Sequence, residues 1–422
     1  MGLCHYVIEL FLKLFKTIKR MPDELNAKLE GAVEQNQLSL VKNALKEGAD
    51  PNFSGTNSTP LNNAAFNGYD PIVKLLLSSG ANVNLQDHKG FAPIHLAVSK
   101  GHLKVCKQLI AAGADLSLKT NDGGTALHIA SAYGFMSICK LLVEKACPIN
   151  EKDKFDCNAL HVAVGQVNKP LVKYLIEKGA DVECTNINGH TPLLRALSGL
   201  NESRVEGWSI ETQNPSGQKR TYKISKGYFT FIDSGIEKPL AVKDQKLIAS
   251  KEWGPNEHLK YLDLIDIAIM LVNAGADINK LDKRNQNALF FSTRAGEMRL
   301  IKLFFDKGAN HEVKDFNGAN LLHMAASSGR LDALQTILFM GFVKEINSED
   351  NFGWTPLHYL ADKGGSSEMA QLLIGVGADV GAKSTVERGP FPVGTVPYTV
   401  AMHFNDEELA KLMKYKVQVI NP

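Results

Sequence analysis

A chain of 422 residues with 44% hydrophobic content can form two or three globular domains or one elongated array, and it has ample apolar material for a continuous core. A formal net charge of +2, with 22% charged residues, excludes a global field that would demand nucleic acid or an anionic surface as partner, so electrostatic recognition has to be local. Six cysteines, at positions 4, 106, 139, 147, 157 and 184, contain no Cys-x-x-Cys pair and no zinc-type histidine spacing; they read as reduced thiols of a cytoplasmic chain.

The first predicted element is an amphipathic helix over residues 1–22. Val7, Leu10, Phe11, Leu14 and Ile18 share one face, with Glu9, Lys13, Lys16 and Arg20 on the other. It lacks the basic leader and small-residue cleavage site of a signal peptide. We expect it to fold back over the element that follows; the alternative is weak peripheral membrane contact through residues 1–20. Met1-Gly2-Leu3-Cys4 is a poor acylation start, because Tyr6 stands where Ser or Thr is preferred.

From residue 23 the chain repeats itself. "APIHLAVSKGHLKVCKQLIAAGAD" (92–115) returns as "TALHIASAYGFMSICKLLVEKACP" (125–148) and "NALHVAVGQVNKPLVKYLIEKGAD" (158–181), so His95, His128 and His161 stand 33 residues apart. Thr59 and Thr355 are placed to cap a first helix, and Pro60 and Pro356 fill its first position, whose N–H has no partner anyway. Val105, Leu109 and Ile110 mark a second helix that Gly113 ends, and an extended finger, "ADLSLKTNDGG", leads to the next unit. One unit buries only part of its apolar surface, so stacking of neighbours must create the core. The recurring Thr-Pro-Leu-His-x-Ala and Gly-Ala-Asp segments resemble the ankyrin repeat family over about nine-tenths of the chain. The implied fold is an all-α repeat solenoid of helix-turn-helix units with β-hairpin fingers, about ten units counting caps.

The pattern has departures. Asn62, Leu194, Phe290 and Thr399 replace the motif histidine, and Ala146-Cys147-Pro148 replaces Gly-Ala-Asp. The phase slips by two residues around "MGFVKEIN" and by seven before the last unit; both slips fall in fingers, where extra residues are tolerated. The largest departure lies in the sixth unit. There 79 residues separate Ala196 from Gly275, where the equivalent Ala163 and Gly179 lie 16 apart, so 63 residues are added between the two helices. The predicted organisation is therefore repeats over 23–196, an insertion over 197–258, and repeats over 259–422 ending in a capping unit. Within the insertion "GWSIETQ", "RTYKIS" and "YFTFID" read as a three-stranded meander with Asn214-Pro215-Ser216-Gly217 and Lys226-Gly227 as turns, and the remainder reads as irregular.

No phosphate-binding Gly-rich loop, His-Glu-x-x-His, Gly-x-Ser-x-Gly or Cys-rich metal pattern occurs, so no catalytic, cofactor or metal site is expected. The recurring histidines are read as structural, using both ring nitrogens to tie neighbouring backbone groups. What the family resemblance implies is a protein-binding scaffold that grips a partner on the concave surface of fingertips and first helices. By position the candidate contacts are Phe91, Tyr133, Phe155, His190, Arg284, Arg294, Phe316, Phe352 and Trp354, since aromatic and Arg side chains dominate interface energetics. The insertion offers a second aromatic surface at Trp208, Tyr222, Tyr228, Phe229 and Phe231. The expected chain is a monomer with a protein partner and no nucleic acid. Ankyrin arrays also occur in proteins that intracellular bacteria deliver into host cells, which makes an effector of the host cytoplasm a further expectation. The alternative from another class is an enzyme whose active site lies between the insertion and the repeats.

Overall fold

The structure is a computed structural model that describes residues 23–55, 58–202, 209–213, 219–225, 228–233, 236–239 and 256–420. The expected N-terminal helix over 1–22 and the expected turn residues 214–217 and 226–227 lie outside the described residues. The chain divides after Asp181 into two compact bodies.

The first body is a stack of helix pairs: 23–34 with Leu38–Lys46, Pro60–Asn67 with Asp70–Ser78, Pro93–Ser99 with Leu103–Ala111, Ala126–Ala132 with Met136–Glu144, and Ala159–Gly165 with Lys169–Glu177. Local chemistry sets the boundaries. The Asn62 N–H donates to the Thr59 hydroxyl at 3.2 Å and the His161 N–H to the Asn158 side chain at 3.0 Å, which satisfies a donor that the helix start leaves open. The second helices turn Val105, Cys106 and Leu109, then Ile138, Cys139 and Leu142, into the interior. Each such aliphatic side chain, fully buried, contributes about 2 kcal/mol. First helices of adjacent repeats pack on one another, and a glycine ends the first of these with φ of +74° at Gly68, where a Cβ would stand 2.6 Å from the His102 ring. Burial pushes the Cys106 thiol up to about 12 and the Cys139 thiol up to about 11, so both are packing groups without thiolate character.

The second body repeats the design with Pro192–Glu202 and Asn256–Asn273, Ala288–Ala295 and Met298–Asp306, Leu321–Ser327 and Leu331–Phe339, Pro356–Asp362 and Ser367–Gly375, and Pro397–His403 and Glu407–Ile420. Helices Pro192–Glu202 and Asn256–Asn273 pack directly against each other although the insertion separates them in sequence. Leu197 and Leu200 are buried, so the first of these helices runs past the expected boundary at 197. The insertion carries an antiparallel sheet in the order β1 (Ser209–Gln213), β2 (Lys219–Ser225), β3 (Tyr228–Asp233) and β4 (Ile236–Pro239). The three expected strands are present. The fourth lies in the stretch expected to be irregular; it is a short edge strand that ends in Pro239, where a missing N–H costs the ladder nothing. The two-residue phase slip is absorbed by a 3₁₀ turn at Phe342–Glu345.

Buried histidines tie the stack together as expected. The Ala92 N–H donates to His95 Nδ1 at 3.1 Å, which leaves Nε2 as the protonated nitrogen, and it donates to the Leu118 carbonyl of the next finger at 3.0 Å. His128 reaches the Cys157 carbonyl in the same way, His323 that of Trp354 and His358 that of Thr395. Where Asn62 replaces the histidine, its amide donates to the Leu85 carbonyl at 3.4 Å; where Phe290 does, the cap residue Asn287 reaches the Asn310 carbonyl at 2.8 Å.

Candidate protein-binding surface

The fingers that carry the candidate side chains are held by a recurring carboxylate. Asp87 Oδ1 accepts from the N–H groups of Lys89 and Phe91, Asp153 from those of Phe155 and Cys157, Asp282 from Arg284 and Gln286, Asp315 from Asn317 and Ala319, and Asp350 from Phe352 and Trp354. Each finger is also bonded to its neighbour through the main chain. The Asn121 N–H donates to the Lys89 carbonyl, Lys154 to Asp122, Phe316 to Arg284, Asn351 to Asn317, and Thr385 to Phe352, all between 2.8 and 3.0 Å. A second set of bridges runs through asparagines between the second helices and the fingertips: Asn84, Asn150, Asn279 and Asn347 accept from the N–H of Asp115, Asp181, Asn310 and Asp379. The tips are thus fixed in position by backbone bonds, and their side chains are left to vary.

In the first body, Tyr133 is 62% exposed and stacks on Phe135 with centroids 5.7 Å apart, and Phe155 is 50% exposed beneath the Lys154 ammonium. Lys154 in turn pairs with Asp122 of the preceding finger. Phe91 is half-buried, edge-on to His95 at 6.2 Å, and so contributes to its own finger as much as to the surface.

In the second body, Phe316 is 76% exposed, more than Tyr133 or Phe155 in the first. His190 contacts the Asp282 carboxylate at 3.4 Å and meets Phe291 edge-on at 5.6 Å. Burial works to raise the Asp282 carboxyl, but His190 and the two turn N–H groups outweigh it and hold the group below its ordinary range. Arg294 lies over the Phe291 ring at 4.9 Å and makes one long hydrogen bond, 3.4 Å, to Gln286. Two hollows adjoin here, one running from Asn188 and His190 and the other towards Asp362, Lys363 and Arg388; Arg284, Gln286 and Arg294 line both.

Trp354 does not belong to this surface. It is 1% exposed, stacked on His358 at 5.5 Å and edge-on to Tyr359 and Phe391, with the Arg388 guanidinium 4.3 Å above its ring. The cover comes from the longer finger before the last repeat, whose Arg388 also reaches Asp350 Oδ2 at 2.9 Å and lies 5.2 Å from Phe352. Phe352 is half-buried beneath it. Sequence reading missed Arg388 and Phe391; the signal was the seven-residue excess, which carries an arginine between apolar residues and was read only as tolerated length. Of the insertion candidates, Tyr222 pairs in register with Phe231, Ile224 with Phe229 and Ser225 with Tyr228, while Trp208 lies outside the described residues.

Among the described residues no three His, Cys, Asp or Glu side chains converge as metal ligands would, and no helix is long and apolar enough to cross a membrane. A family model described as "Ankyrin repeats (3 copies)" matches residues 29–120, 104–186, 127–205 and 258–347, and "Ankyrin repeats (many copies)" matches 322–374. The chain belongs to the ankyrin repeat family. Ankyrin repeats generally mediate protein–protein interaction, and the surface described above is built from their fingers and first helices. Similar proteins include the human transient receptor potential cation channel subfamily A member 1, 33% identical over 30% of this chain and 11% of the channel. An ankyrin repeat protein of Fowlpox virus is 32% identical over 35% of this chain and 43% of its own length, and one of Rickettsia bellii is 32% identical over 18% and 43%. The matched segments thus span less than half of each of these relatives.

Proposed function

We propose that this ankyrin array is a non-enzymatic interaction scaffold that binds a protein partner on its concave finger and first-helix surface. The observation that carries the reading is Phe316, a large apolar side chain 76% exposed at a fingertip whose backbone is fixed by its neighbours, beside a hollow lined by Arg284 and Arg294. Tyr133 and Phe155 are the matching groups of the first body. Trp354, 1% exposed, packs the interior and offers a partner no contact. The scaffold works as a monomer without cofactor, and the similarity to proteins of Rickettsia bellii and Fowlpox virus supports a role inside a host cell, as an effector in its cytoplasm.

A phage-displayed library of random peptides, panned on the intact chain, tests the reading. Selected clones should bind a Phe155→Ala, Phe316→Ala variant about tenfold more weakly, the scale of losing a buried aromatic contact. Clones indifferent to that variant, or no selection at all, would remove the finger surface from the model.

A further inference from the structure

We infer that the hollow of the second body takes an extended acidic segment of the partner, one of whose carboxylates sits between Arg284 and Arg294. The inference rests on the interaction-scaffold reading and gives the partner its chemistry.

The argument is one of charges already committed and charges left over. Around the two adjoining hollows, Arg388 is paired with the buried Asp350, Lys363 with Asp362 at 3.2 Å, and Asp282 with His190. Asp315 spends one oxygen on its own turn, and the other faces Gln286 at 3.5 Å. Arg284 and Arg294 remain, with Lys283 in the first hollow: among the described residues none of the three has a carboxylate within 4.0 Å, whereas His190, Lys363 and Arg388 do. Arg294 is also largely withdrawn from water. Its Nε is buried with no hydrogen-bond partner, and its guanidinium carbon lies 4.9 Å from the centre of the Phe291 ring.

Burial, and then the positive charge of Arg284, pull the Arg294 guanidinium below its usual range; the carboxylates of Asp282 and Asp315 oppose this from a distance. A planar guanidinium fork over an aromatic ring, next to a second arginine, offers donors that a carboxylate matches with two parallel hydrogen bonds. An arriving carboxylate would relieve the repulsion between the two cations. Phe316 and Met324 line the same hollow and would exclude water from the pair. Because Arg284, Gln286 and Arg294 line both hollows, the path runs from His190 past the arginines to Lys363, which suits an extended chain better than a single small anion.

Fluorescence anisotropy with a fluorescein-labelled decaglutamate peptide, and decaglutamine as control, tests the inference on the full chain. Decaglutamate should bind and decaglutamine should not. Arg284→Gln and Arg294→Gln should each weaken binding by about tenfold, the scale of one charged hydrogen-bonded pair. Arg294→Lys keeps the charge without the fork, guards against a folding defect, and should show an intermediate loss. Lys302→Gln, on the second helix of the same repeat, should leave binding unchanged. Equal binding of decaglutamine, or a Lys302→Gln loss as large as that of Arg294→Gln, would overturn the inference. If panning selects clones that depend on Phe316 but carry no excess of acidic residues, the acidic chemistry fails while the scaffold reading stands.

Discussion

A buried imidazole that bridges two backbone groups is committed to one protonation state. His95, His323 and His358 each receive an N–H at Nδ1, so a second ring proton would face a donor, and burial draws each of them down to about 4. The unfolded chain titrates these rings near 6.5, so it binds protons first as the pH falls. Stability from this source is complete above about pH 6.5 and drains away towards pH 4, at a limit on the order of 3 kcal/mol per ring. Urea unfolding between pH 7 and pH 5, where ordinary carboxylates hardly titrate, should therefore show a falling midpoint. In the His95→Gln, His323→Gln, His358→Gln variant the midpoint should start lower and fall less. Parallel slopes for the two proteins would refute the assignment. These residues were legible in the sequence, because an interval of 33 can be counted. Trp354 was not: its position in the repeat marks a fingertip, and only residues more than thirty positions later show that it is covered.

The long finger before the last repeat turns this into a statement about an element. Seven extra residues there carry Arg388 and Phe391 back over Trp354 and onto Asp350, whose carboxylate is wholly buried and also accepts from the Tyr359 hydroxyl at 2.9 Å. Arg388→Ala should cost about 2 kcal/mol, since it leaves that carboxylate short of its cation and opens the indole to solvent. Acrylamide quenching of Trp354, in a background with Trp208 and Trp253 changed to Phe, should rise in the variant. Unchanged quenching together with an unchanged denaturation midpoint would mean that the finger merely lies on the surface. Helix pairs and finger positions were legible because caps, apolar spacing and terminal glycines act within a few residues. The asparagine bridges at positions 84, 150, 279 and 347 recur in the sequence as well, but their partners lie one repeat onward, and a loop read alone gives no reason to look there.

For the chain as a whole, the insertion is the largest test of modularity. Its flanking helices, Pro192–Glu202 and Asn256–Asn273, pack on each other, with Leu197, Leu200, Tyr261 and Leu262 all buried, so the sixth repeat is complete without the intervening sheet. Replacing residues 203–255 by a short Gly-containing turn should leave a soluble protein with a single cooperative thermal transition near that of the parent, because loop-closure cost changes by only about 0.6 kcal/mol per doubling of length. An insoluble product, or a collapsed midpoint, would instead make the sheet a brace for its neighbours.

The bridges between fingers also bear on how such a chain can change over generations. The bridging histidines donate to main-chain carbonyls, and the asparagines accept from main-chain N–H groups, which every residue except proline supplies. A repeat copied or lost by recombination would therefore meet the same partners at the new junction, with no buried polar group stranded. The number of repeats can drift while each fingertip is selected on its own.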